Sequence, residues 1–302
     1  MVYRSLGSTG LSVSVIGIGT WQLGGEWGRS FSLSEVEAIF DRARACGITL
    51  IDTAECYGDH LSERLVGRAV RRDRERWVIA TKFGHRYTTP FQREQLWGVD
   101  DVRRQLEDSL AALGIDTIDV YQFHSGTRDA FENDALWSML EAQKKAGKLR
   151  HVGISIGNSI PREEQERQAA RARQVGAECL QVVYNRMQRL PESVVLPLCA
   201  RENLGVLARV PLASGYLSGK YREGAVFGPE DFRSTKTREE LNRMAVEAER
   251  IRKEEVPPGV SMSAWALAWC LQNPTVTAVI PGCKSPEQVA QNAAAADLLP
   301  AG

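Results

Sequence analysis

The chain has 302 residues, 43% of them hydrophobic and 25% charged, with 38 Lys plus Arg set against 38 Asp plus Glu. That balance excludes the long-range field that draws a protein to nucleic acid or to an anionic membrane, so any phosphate site must be local. No apolar run is long enough to span a bilayer and the start lacks the apolar core of a signal peptide, which leads us to expect a soluble, cytoplasmic protein.

In chain order, residues 2–13 alternate weakly around Gly7 and Gly10 and predict a short hairpin ahead of the main fold. The run 15–19 reads as a first inner strand, followed by Thr20, Trp21 and a Gly-rich loop over 24–28. Ser32 with Glu35 is a capping box, after which Val36, Ile39, Phe40 and Ala43 mark one helical face. A second apolar run, 48–51, ends abruptly in Asp52; Tyr57 follows, then the turn-former Gly58, and Leu61, Leu65, Val66 and Ala69 return to helical spacing. The same alternation repeats. Further strands centre near Ile79, Val120, Val152, Val182, Leu207 and Ala278. Helical faces lie between them, as at Val102, Leu106, Leu110 and Leu113.

These eight strands are continuous apolar runs, as burial on both faces of a parallel sheet requires. Strand and helix units in that number predict an α/β fold, a closed (β/α)8 TIM barrel forming one domain over 1–302. An open Rossmann sheet is disfavoured, because Gly17 and Gly19 run into Thr20 and Trp21 instead of a GxGxxG turn. The interval between strands seven and eight is out of step, and its charge-rich part predicts an extra helix over about 237–254 whose charges form a solvated face. Six cysteines lack CxxC spacing, which points to reduced thiols and neither structural zinc nor disulfides.

Three consecutive strands bring ionisable groups to their carboxyl ends: Asp52 with Tyr57, then Lys82, then His124. Each alone reads as an ordinary solvated strand end; three in succession read as a site at the carboxyl rim of a barrel. Asp52, Tyr57, Lys82 and His124 in this order resemble the catalytic tetrad of the aldo-keto reductases. IGIGTW at 16–21, IDTAECYG at 51–58, TKFG at 81–84 and IPGCKSPEQVAQNAAA at 280–295 carry the same resemblance.

The resemblance implies hydride reduction of a small-molecule aldehyde or ketone. Tyr57 would be the proton donor, Lys82 would ease proton loss from the phenol, Asp52 would hold Lys82, and His124 would orient the carbonyl oxygen. It places Gly19, Thr20, Trp21 and Asp52 along the nicotinamide riboside, and Ser155 with Gln181 on the carboxamide. The stretch 211–220, PLASGYLSGK, resembles the pyrophosphate loop and offers Pro211, Leu212, Ser214, Gly215, Leu217 and Lys220. Gly282, Lys284, Gln288, Gln291 and Asn292 would surround the adenosine end. No metal is implied.

Three positions depart from the family's commonest pattern. Ser155 is followed by Ile156 where Asn is usual, and Arg209 stands where Tyr often stacks on the nicotinamide. In the strand-eight loop only Lys284 remains as an obvious partner for a 2′-phosphate. NADPH is still the expected cofactor, with NADH the alternative. The same tetrad also resembles the cytoplasmic β-subunits of potassium channels, where cofactor binding serves a partner. A lyase or isomerase using Lys82 as a Schiff base is a third reading. Trp21, Trp27, His85, Tyr87, Phe91, Trp97 and the loop 125–131 would line the substrate pocket and favour hydrophobic or aryl carbonyls. The oligomeric state is not legible.

Overall fold

A computed structural model describes residues 1–300, so the last two positions of the expected 1–302 domain, 301 and 302, lie outside the described residues. The N-terminal hairpin pairs β1 (Tyr3–Ser5) with β2 (Ser12–Ser14). Eight parallel strands follow: β3 (Ile18–Gly19), β4 (Leu50–Asp52), β5 (Val78–Phe83), β8 (Ile118–His124), β9 (Leu149–Ser155), β10 (Ala177–Val183), β11 (Gly205–Arg209) and β12 (Ala278–Val279). Between β5 and β8 lies an antiparallel pair, β6 (His85–Thr89) and β7 (Gln92–Gln95). The parallel sheet closes on itself. Gly17 N–H donates to Val279 at 2.8 Å, Val279 N–H to Val15 at 2.9 Å and Gly19 N–H to Pro281 at 3.0 Å. The predicted (β/α)8 barrel is therefore the fold.

Two apolar layers account for closure. Inside the barrel, Leu50, Ala80, Val120, Cys179, Leu207 and Ala278 point inward together, and Leu6, Leu11 and Val13 of the hairpin plug the amino-terminal end. Between sheet and helices, residues such as Ile51, Ile79, Tyr121 and Ile154 pack on Val36, Val66, Val102 and Leu136. Each fully buried large apolar side chain contributes about 1.5–3 kcal/mol. With one end plugged, the carboxyl rim remains open for chemistry.

The extra helix, Arg238–Glu254, starts at the capping box Thr237/Glu240 as its sequence requires. Leu241, Ala245, Ala248 and Ile251 bury its inner face on Ala213, Tyr216, Leu217 and Ala266. Its charges form the expected solvated face, and two of them, Arg243 and Glu247, also line the cleft described below. The β6/β7 hairpin was not expected: its exposed, polar residues lack the apolar runs that mark barrel strands.

Helix α1 spans Leu33–Ala45, α2 spans Leu61–Val70 and α3 spans Val99–Leu113. Helix α2, which carries Ser62 and Glu63 beneath the rim, rests so closely on α3 that a Cβ on Gly67 would stand 2.1 Å from the Leu113 carbonyl oxygen. We predict that Gly67→Ala lowers stability by about 1–3 kcal/mol, a cost typical of overpacking. Thermal unfolding would register this as a fall of several degrees, and an unchanged midpoint would contradict the close approach.

Candidate active site

The site is built on an ammonium buried at the carboxyl rim. Lys82, fully buried on β5, donates from Nζ to Asp52 Oδ1 at 2.7 Å, to the Thr53 carbonyl at 2.7 Å and to the Tyr57 hydroxyl at 3.1 Å. The other oxygen of Asp52 accepts from Gln181 Nε2 at 2.6 Å and from Gln122 Nε2 at 3.2 Å. Burial alone would lower the Lys82 pKa, but Asp52 and Tyr57 outweigh it and hold the group well above its ordinary value. Lys82 is therefore charged at neutral pH.

Tyr57 reaches this ammonium because the chain reverses sharply behind it. Gly58, Asp59 and His60 all take positive φ, at 68°, 51° and 61°. Gly24 lies against the turn so tightly that a Cβ there would meet the Tyr57 carbonyl carbon at 2.6 Å. Burial pushes the Tyr57 phenol up to about 12, outweighing the opposite pull of Lys82. Lys82 thus pulls the phenol in the expected direction, toward proton loss, while desolvation is the larger effect in this state. His124, at the end of β8, packs edge-on to the Tyr57 ring with centroids 6.3 Å apart. Burial first, then His85, Lys82, Arg209 and Arg93, lower its pKa well below the usual value, so the imidazole is neutral.

A cavity of about 970 Å³ opens over this floor, at the upper end of the roughly 300–1,000 Å³ usual for small-molecule sites. Of the expected residues, Gly19, Thr20, Trp21, Asp52, Tyr57, Gln181 and Arg209 line it. Pro211, Leu212, Ser214, Gly215 and Lys220 line it from the loop after β11, and Gly282, Lys284, Gln288, Gln291 and Asn292 from the segment after β12, which starts beside Gly19. Lys82 and His124 are not on its lining, nor are His85, Tyr87, Phe91 and Trp97 of the expected substrate pocket, and two expected cofactor residues lie behind its wall. Ser155 is fully buried, with its hydroxyl 3.5 Å from Gln181 Oε1, and Leu217 is fully buried against the extra helix. The loop after β11 holds three non-glycine residues at positive φ, Val210, Ala213 and Ser214, a concentration of backbone strain typical of ligand clamps.

Several cavity residues had not been singled out. Arg233, Lys236 and Arg243 line it beside Lys220 and Lys284, adding cations from outside the strand-eight loop to the one that loop offers. Arg233 is clamped by Asp231, Nε to Oδ1 at 2.8 Å, while Lys284 Nζ donates to the Trp27 carbonyl at 2.5 Å. Gln122, fully buried on β8, was legible by the same signal as Gln181, a polar residue inside an apolar strand. Glu26, 2% exposed, accepts from Trp21 Nε1 at 2.7 Å, from the Phe91 N–H at 2.6 Å and from Arg93, joining the Gly-rich loop to the β6/β7 hairpin. Nothing local marks a glutamate in a Gly-rich loop as buried.

A model of the Aldo/keto reductase family matches residues 15–300. The chain belongs to this family. It is an oxidoreductase of the aldo-keto reductase type. It is similar to the holo form of the aldo-keto reductase AKR11C1 from Bacillus halodurans, with a TM-score of 0.81 and 28% identity over 100% of this chain and 93% of that one. It is 29% identical to the NADH-specific methylglyoxal reductase of Escherichia coli (strain K12), over 97% of this chain and 93% of that protein. A probable voltage-gated potassium channel subunit beta of Arabidopsis thaliana is 28% identical, over 99% of this chain and 92% of that protein. Aldo-keto reductases use nicotinamide cofactors, which matches a long cavity with cations along it.

The Glu26 contacts generate a prediction. Glu26→Ala would leave Arg93, the Phe91 N–H and the Trp21 indole without their shared acceptor, and removing one partner of a buried pair costs about 3–5 kcal/mol. Chemical denaturation would show that loss, together with a changed tryptophan emission as Trp21 reorients. A variant as stable as the parent, with the same emission, would show that the carboxylate is not the junction.

Proposed function

We propose that this aldo-keto reductase reduces an aldehyde or ketone to the alcohol with NADPH, and that Tyr57 delivers the proton. The observation that carries the reading is the contact chain Asp52, Lys82, Tyr57 at 2.7 Å and 3.1 Å on the floor of the long cavity. A nicotinamide cofactor bound there supplies the hydride that adds to the carbonyl carbon. The residues do the rest. Tyr57 places its O–H where the carbonyl oxygen becomes negative, and passes its proton as that charge develops. Lys82 stabilises the phenolate left behind, and Asp52 keeps Lys82 charged and aimed. The neutral imidazole of His124 holds the carbonyl oxygen as a hydrogen-bond donor. A phenol raised to about 12 in the resting protein reserves its proton until that negative oxygen is present.

The fit to the cofactor rests on the protein's own unmet needs. Arg209 makes one bond, Nη2 to the Ile156 carbonyl at 3.1 Å, while its Nε is buried without a partner beside Tyr57 and Asp52. Its flat guanidinium can face the nicotinamide, and its charge disfavours an oxidised, cationic ring relative to the reduced one. Lys220, Lys236 and Lys284 have no carboxylate partner among the described residues, which suits them to phosphates. These cations along the cavity are why NADPH is proposed over NADH. Protein in the cytoplasm, free of nucleic acid and membrane, agrees with balanced charge and with the lack of any helix long and apolar enough to cross a bilayer among the described residues.

The potassium-channel relative supports a second reading, in which cofactor occupancy is reported to a partner protein and turnover is weak. A panel of aldehydes and ketones separates the two, since brisk reduction by the isolated chain removes the second.

Two outcomes are expected. Tyr57→Phe should lower turnover on the order of a hundredfold or more, the range that general acid catalysis supplies, with cofactor affinity nearly unchanged; parent-like turnover would remove the mechanism. Fluorescence titration should show NADPH bound roughly ten- to hundredfold tighter than NADH, and Lys284→Ala should erase most of that difference while leaving NADH affinity nearly unchanged. Equal losses for both cofactors would assign the 2′-phosphate elsewhere, with Lys220, Arg209 and the clamped Arg233 next to be tested.

A further inference from the structure

We propose that Glu55, Cys56 and His124 form a binding site for a soft divalent cation of the zinc and cadmium class, set against the substrate side of the tetrad. A carboxylate oxygen of Glu55, Cys56 Sγ and a ring nitrogen of His124 all lie within 4.8 Å of one another, and Sγ stands 3.8 Å from His124 Nδ1. A tetrahedral zinc, with bonds of about 2.3 Å to sulfur and about 2.0 Å to nitrogen or oxygen, spaces its ligand atoms roughly 3.5 Å apart. The sulfur and nitrogen are therefore almost at bonding separation already, and the oxygen needs a shift no larger than a side-chain adjustment.

An independent observation points to the same place. Glu55 is 3% exposed, yet only one of its oxygens is satisfied, Oε1 by the His85 N–H at 2.9 Å; Oε2 has no partner. A buried polar atom left unpaired costs about 1–3 kcal/mol, and a cation would recover that loss. Nothing in the reduction chemistry uses Glu55 or Cys56.

The surroundings select the ion. Lys82, Arg93 and Arg209 all act on His124, so an ion held only by charge is repelled. A thiolate bond to a soft metal is strong enough to offset that repulsion, whereas magnesium and calcium, which need several oxygen ligands, are excluded. On binding, the Cys56 thiol loses its proton to solvent and the sulfur donates to the metal. Ligation ties the His124 ring to the metal instead of to the substrate's carbonyl oxygen, so occupancy lowers turnover. Binding itself is independent of the reductase reading; only the effect on turnover rests on it.

Calorimetry with CdCl2 and ZnCl2 on the full chain, together with the ultraviolet thiolate-to-cadmium absorption, tests the site. One cadmium per chain with a thiolate band is expected, and MgCl2 should give no heat. Cys56→Ser should keep carbonyl reduction near the parent level and weaken cadmium binding on the order of a hundredfold, at least the loss seen when a mere supporting contact of a metal site is removed. Glu55→Gln should weaken it as well, and Cys46→Ser, at the one cysteine that is not buried, should not. Unchanged binding in Cys56→Ser, loss of binding in Cys46→Ser, or no stoichiometric binding in the parent would each overturn the proposal. Cadmium binding that leaves reduction unaffected would overturn the link to His124. Absence of reduction in the parent, with cadmium still bound through Cys56, would overturn the reductase reading and leave the metal site standing.

Discussion

Everything at the carboxyl rim depends on the need to satisfy one buried ammonium. An isolated charge taken out of water carries a penalty of several kcal/mol even after relaxation, and only close, well-directed partners offset it. Lys82 meets that need with Asp52 from β4, the Thr53 carbonyl and Tyr57, and Asp52 in turn holds Gln122 from β8 and Gln181 from β10. Four barrel strands are thereby fixed in register by side chains as well as by their ladders. The same network brings the Tyr57 hydroxyl to the cavity beside Asp52 and Gln181, which is how a requirement for stability becomes a site for proton transfer.

Two more layers of polar contacts hold that floor from below. Ser62 of α2 donates to the Thr20 carbonyl at 3.0 Å and meets Thr20 Oγ1 at 2.8 Å, and Thr81 donates to Glu63 Oε1 at 2.6 Å. Helix α2 is therefore bonded to the ends of β3 and β5, and its close seat on α3 through Gly67 transmits the position of one helix layer to the tetrad. In this arrangement backbone placement and side-chain chemistry are not separable. A methyl group at the helix contact strains the same scaffold that holds Lys82.

How much of this could be read from the sequence follows from which residues carry a local signature. Apolar runs of 15–19, 48–51 and their successors mark barrel strands because both faces of a parallel sheet are buried, and a charge at the end of such a run stands out; hence Asp52, Lys82 and His124 were legible. Gln181 was visible as a polar residue in an apolar strand, and Gln122 carried the same mark unread. The β6/β7 hairpin, by contrast, is polar and exposed, so neither period nor hydrophobicity separates it from a loop. Glu26, Arg233 and Arg243 owe their burial or placement to chain segments far away in sequence, and no window around them encodes that. Leu217 shows the opposite failure: a loop motif suggested a cofactor contact, whereas its apolar side chain found a better place under the extra helix.

The extra helix then takes on a role that its charge pattern hid. Its inner face buries Ala213, Tyr216 and Leu217, which sit in the strained loop that walls the cavity, so the docked helix braces the loop in which Val210, Ala213 and Ser214 take positive φ. Strain of about 1–3 kcal/mol per residue persists only where surrounding structure over-determines the backbone. The helix supplies that constraint on one side and sets Arg243 into the cleft on the other. Across the cleft, Lys284 is bonded to the Trp27 carbonyl and Trp27 pairs with Asp231, the residue that clamps Arg233. Lys284 and Arg233 are thus tied to one another through the Gly-rich loop, and that loop reaches the tetrad through Glu26 and Trp21, whose ring lies 6.1 Å from that of Tyr57. A ligand phosphate that drew Lys284 from Trp27 would act on the first link of this chain, and the last link is the wall of the pocket beside the proton donor.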